Sequence, residues 1–150
     1  MTTPLSPHFS LEELTRSATA DRLGIDNTPP PDCVQRLRAL SEYVLERIRS
    51  LLDQPVRINS GYRCPELNAA VGGSIHSQHL LGEAADIEVP GLSNKRLADL
   101  IRGSVIPFDQ LILEHTSDSD PSAGWVHVSH KSKGNRKQFV VIPRSRPEKE

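Results

Sequence analysis

The sequence is short of cysteine, with only Cys33 and Cys64. Two thiols make no disulfide framework, and their spacing is not that of a C-x-x-C metal clip, so they favour a reducing compartment. Charge of one sign is missing too: 18 basic and 19 acidic residues leave a formal net charge of -1. No global field draws the chain to nucleic acid or to an anionic membrane. No apolar run reaches the roughly 20 residues of a spanning helix, and the N-terminus carries no charged-then-hydrophobic leader. The expectation is a soluble protein, made in the cytoplasm without a Sec signal of its own. Heptads, internal repeats and linkers are absent, so a monomer with a single domain over residues 1–150 is expected, with 1–7 and 144–150 mobile.

What is present divides into recognisable elements. Ser10 and Glu13 form a capping box ahead of a short helix over about 11–16, after which the chain reads as irregular to Pro31. Val34, Leu37, Leu40, Val44, Ile48 and Leu51 recur three or four apart and mark one face of the longest helix. Residues 56–60 alternate as a strand, and Pro65 opens a helix to Ala70 that Gly72-Gly73 stops. Strands at 84–89, 110–114, 125–129 and 138–142 follow, with one helix capped by Ser93 or Asn94 among them. Helices come first and strands cluster late. That order predicts an α+β fold, a mostly antiparallel sheet with helices packed against it.

Three residues are hard to read as ordinary core or loop. His79 lies in a polar stretch with Ser74, Ser77 and Gln78, seven residues before Asp86. Asp86 sits in the strand-like run between Ala85 and Ile87, where an unpaired buried carboxylate costs several kcal/mol. His127 alternates with Val126 and Val128, so it faces away from them and shares its side with Trp125 and Ser129. Two imidazoles and one carboxylate are a donor set that borderline metals accept. With three protein ligands, a Zn²⁺ site keeps a fourth position open for water, as catalytic sites do.

Together Ser60-Gly61-Tyr62-Arg63, Ser77-x-His79-x-x-Gly82-x-Ala84-x-Asp86 and Trp125-x-His127 resemble the zinc D-alanyl-D-alanine peptidases and related peptidoglycan-cleaving enzymes. That family takes in D,D-carboxypeptidases, D-Ala-D-Ala dipeptidases and phage endolysin relatives of α+β fold. The resemblance runs from about His8 to Ile142. It implies one Zn²⁺ held by His79, Asp86 and His127, and an Arg63 that binds or polarises substrate near the scissile peptide. It also implies a substrate site shaped by Ser77, Gln78 and Trp125. Many relatives carry the catalytic acid/base three residues before the last ligand, where this chain has Gly124. Glu114 is the expected substitute, because it ends the strand preceding that of His127 and pairing would bring the two to one side.

The remaining candidates read as scaffold or surface. Asp109 is expected to be structural beside Phe108, His76 to be loop surface, and His130 to lie beyond the strand end. His115 should face away from Glu114, Tyr62 should pack beneath Arg63, and the basic residues of 131–137 should ride a solvated hairpin. The function implied by the resemblance is zinc-dependent hydrolysis of peptidoglycan stem peptides, at D-Ala-D-Ala or a related D-amino-acid bond. Two alternatives stay open: a wall-peptide binding module with an impaired site, and an L-alanyl-D-glutamate endopeptidase. Action on the wall after delivery, by a phage, prophage or bacterial route, is the expectation for location.

Overall fold

The computed structural model describes residues 2–117 and 119–144. A two-stranded antiparallel pair, β1 (Pro4–Ser6) and β2 (Phe9–Ser10), opens the chain. Part of the expected mobile segment 1–7 is therefore a strand: Leu5 is 1% exposed and joins the core with Phe9. The tail 145–150, also expected to be mobile, lies outside the described residues. Ser10 then caps α1 (Leu11–Thr15), with both halves of the capping box formed.

The stretch read as irregular contains a helix, α2 (Ala18–Leu23). Ser17 caps its start and Gly24, at φ 69°, ends it. Six residues with an exposed Leu23 give no apolar period to detect, and the caps are its main signal. The long helix runs as α3 (Pro31–Leu40), a π turn (Ser41–Leu45) and α4 (Glu46–Leu52). In the π turn the buried Ser41 hydroxyl donates to the Leu37 carbonyl. The widened turn holds one residue more than an α turn and shifts the buried face after it. Leu51 is thus 48% exposed, while Leu52 packs on the core instead.

After β3 (Arg57–Ser60) come α5 (Pro65–Ala70), a 3₁₀ turn (Gln78–Leu81), β4 (Ala84–Glu88) and α6 (Asn94–Arg102). The last strands are β5 (Gln110–Thr116), β6 (Trp125–Ser129) and β7 (Gln138–Pro143). Five strands form one sheet in the order β3-β4-β6-β5-β7, antiparallel except for the β5–β7 pair. The fold is α+β. The basic segment 131–137 is not the expected hairpin, because β6 and β7 are not neighbours. β6 ends where β5 begins, with Ala84 and Ser129 paired at that end, so β7 starts beside Gln110 and must run parallel to β5. Asn135 closes the crossover by bonding both the N–H and the carbonyl of Lys131.

Strand alternation gives the sheet two unlike faces. Ala85, Ile87, Leu111, Leu113, Val126 and Val128 enter the apolar core with Leu37, Leu40, Ile48 and Leu97 from the helices. Burying each Leu or Ile contributes about 1.5–3 kcal/mol. The opposite face carries Asp86, His127 and Glu114. On that side Asp86 pairs with His127, and His127 in turn with Ile112.

Candidate metal centre

β4 supplies Asp86 and β6 supplies His127, directly opposite one another. His79 arrives from the 3₁₀ turn, whose start is capped by the Ser77 hydroxyl accepting from the His79 N–H at 3.1 Å. Gly82 ends the turn at φ 77°, and a Cβ there would lie 2.6 Å from the Cys33 carbonyl oxygen. Both the backbone angle and the contact with α3 require glycine at this position of the motif.

The three side chains are buried, at 3, 7 and 7% exposure for His79, Asp86 and His127. His79 Nε2 lies 3.2 Å and His127 Nδ1 3.1 Å from the same Asp86 oxygen, Oδ1. All three donor atoms fall within 4.8 Å of one another. His79 Nδ1 donates to the Gly61 carbonyl at 2.6 Å. That bond leaves Nε2 facing a carboxylate, an arrangement that only a proton on Nε2 or a metal cation between them makes favourable. Burial pushes the Asp86 carboxyl up, but the hydrogen bonds and charge of His127 and His79 outweigh it and hold the group well below the usual carboxylate range. The donor set, the oriented ring and the ionised carboxylate all suit a divalent metal.

The Ser60-Gly61-Tyr62-Arg63 segment is stitched to this centre. A Cβ on Gly61 would lie 2.1 Å from the Leu14 carbonyl oxygen, which accepts the Tyr62 N–H at 2.8 Å. Tyr62 joins the core. The Arg63 N–H donates to the His79 carbonyl, and its guanidinium donates to Ser60 Oγ at 3.2 Å and Asn68 Oδ1 at 3.0 Å. Arg63 Nη2 stands 3.6 Å from the second Asp86 oxygen.

A cavity of about 500 Å³ opens over the triad. Arg63, Ser77, Gln78, Glu114 and Trp125 all line it, so the structure brings the expected ligands and the expected catalytic and substrate-facing residues to one place. Glu114 pairs with Trp125, two rungs along the ladder from Ile112 and His127 and so on the same face. Gln78 is turned toward the scaffold: its amide donates to Glu83 and Asp109, and its Oε1 is buried with no partner among the described residues.

Gly124 could not carry the side chain that many relatives place there. Its φ is 74°, and a Cβ would stand 1.7 Å from the Glu114 carbonyl oxygen. His115 differs from expectation. A register irregularity after Glu114 and a φ of 57° turn its ring back onto Trp125, stacked at 4.6 Å, so it lines the cavity. Alternation alone placed it on the far side; no sequence signal marked the bulge. The Gly61 carbonyl and Asn68 were also missed, since a backbone acceptor and a helix-borne amide have no pattern of their own. His76 is an exposed residue at the rim, and His130 stacks on Tyr43 away from the centre.

The family model described as Peptidase M15 matches residues 7–129. No curated protein matches the chain.

Proposed function

Because this chain belongs to the peptidase M15 family, we propose that it is a zinc-dependent peptidase hydrolysing stem peptides of peptidoglycan, at D-Ala-D-Ala or a related D-amino-acid bond. The observation that carries the reading is the convergence of His79 and His127 on one oxygen of the buried Asp86 beneath an open cavity. These three residues would hold one Zn²⁺. Bound there, zinc supplies Lewis acidity toward the scissile carbonyl and toward water.

The chain's own groups do the rest. Glu114 takes a proton from the attacking water as the new C–O bond forms, and delivers it to the nitrogen as the C–N bond breaks. Arg63, pinned by Ser60 and Asn68, presents guanidinium N–H groups to the substrate carbonyl or carboxylate where negative charge gathers. Trp125 and Ser77 wall the cavity, and Gln78 holds the ligand-bearing turn to Asp109. A wall-peptide binder would need the triad but not an acid on the same face. The placement of Glu114 favours hydrolysis.

The test combines elemental analysis with mass spectrometry of products from purified peptidoglycan fragments. Wild-type protein should hold one zinc and release cleaved peptide. Glu114→Gln should keep the metal and lose roughly two to four orders of magnitude in rate, while a His79→Ala, His127→Ala pair should lose the metal. Full zinc content in that pair would sink the ligand assignment. Product masses distinguish a D-Ala-D-Ala bond from an L-alanyl-D-glutamate bond.

A further inference from the structure

Beside the cavity over the triad lies a second one, a trough of about 650 Å³ between α2, α5 and the sheet. It runs beside β3, the edge strand of the five-stranded sheet. Beyond the ladder to β4, no backbone hydrogen bond joins Arg57–Ser60 among the described residues, so one side of this strand is free. Arg16, Arg57 and Arg63 line the trough against a single acid, Asp21. Arg57 meets Glu88 only in an exposed pair at 3.1 Å, and Arg16 has no ion-pair partner among the described residues. Arg63 and Val71 line both cavities, so the trough adjoins the metal cavity along these two side chains.

We propose that this trough is an extended subsite for an acidic peptide arm of the substrate, which lies along the free edge of β3 and enters the metal cavity past Arg63. The proposal rests on the peptidase reading and names the substrate class within it. A free strand edge offers alternating N–H and C=O groups to an extended chain. Four residues of β3 extend over roughly 13 Å at about 3.3 Å per residue, which matches about four residues of bound peptide. The arginines select carboxylates on that arm, since guanidinium forks suit carboxylate geometry. A bare dipeptide reaches only the metal cavity, so the enzyme discriminates for longer, carboxylate-bearing stems.

Fluorescence anisotropy on the metal-loaded protein tests this, in the Glu114→Gln background so that the probe is not consumed. The probe is a dye-labelled pentapeptide ending in D-Ala-D-Ala with free side-chain carboxylates, compared with the same peptide amidated at those carboxylates. Exposed ion pairs contribute about 0.2–1 kcal/mol each, so Arg16→Gln with Arg57→Gln should weaken the acidic peptide about three- to tenfold. The amidated peptide should be affected little, and Arg47→Gln, at an exposed arginine of α4 that lines neither cavity, should leave both unchanged. Absent binding, equal binding of the two peptides, or binding indifferent to the paired substitution would overturn the trough. Cleavage by otherwise wild-type protein is followed separately: a peptide bound as expected but never cut defeats the peptidase reading and leaves the subsite standing.

Discussion

Arg63 is held at both ends of its guanidinium, by Ser60 Oγ and Asn68 Oδ1, and its backbone N–H is tied to the His79 carbonyl. A lysine keeps the charge but has no fork, so it cannot keep these bonds and still donate toward the cavity. Arg63→Lys should therefore retain zinc by elemental analysis while kcat/KM falls roughly 10²- to 10³-fold, the scale of losing one donor to developing charge. Unchanged kinetics would make the arginine a scaffold residue. At this scale the sequence was informative about side chains and silent about backbone. Asp86 and His127 stood out as polar groups in strand-like runs where burial needs a partner, and His79 by its spacing to Asp86 within one motif. The Gly61 carbonyl that orients His79 has no such signature.

At the scale of elements, caps and periodicity were readable where they were strong. Ser10 with Glu13, Pro65 at the start of α5, and the alternation in β3 and β6 all lie where those signals put them. The π turn, the bulge at His115 and the parallel pairing of β7 were not readable, because each is decided by contacts with distant chain. The bend from Gly124 into β6 is the most demanding of these contacts. Gly124 and Gly134 share a φ of 74°, but only Gly124 has a backbone oxygen where its Cβ would go. Gly134→Ala should cost about 1–2 kcal/mol, the penalty of the left-handed angle alone. Gly124→Ala should cost more than that in urea melts, and should lower activity too, since Glu114 must move to make room. Equal losses for the two would mean the bend yields easily.

Across the whole molecule, Asp109 ties together three distant segments. It has no exposed surface, accepts two guanidinium bonds and a backbone N–H from Arg136 in the crossover, and accepts from Gln78 beside His79. The Arg136 hydrogen bonds hold its carboxyl down to about 2 despite burial. A carboxylate depressed on folding adds stability above its unfolded pKa of about 3.9 and loses it as pH falls toward the folded value. Asp109→Asn should thus be less stable than wild type by about 1–3 kcal/mol near neutral pH. That gap should close between about pH 4 and pH 2 in chemical denaturation, and a gap independent of pH would mean the loss is one of packing.

The two-faced sheet has a consequence for how the chain finds its register. Along β4, Asp86 alternates with Ala85 and Ile87, and its pairing with Ser60 on one side and His127 on the other keeps its charge off the apolar side. A slip of one residue would swap the faces, driving the carboxylate among Leu37, Leu97 and Val128 and leaving Ile87 in water. The cost of stranding that charge is several kcal/mol, a large share of the stability of any domain this size. The same aspartate that readies the pocket for a cation therefore acts as a proofreader of strand alignment, rejecting misthreaded sheets before any substrate is met.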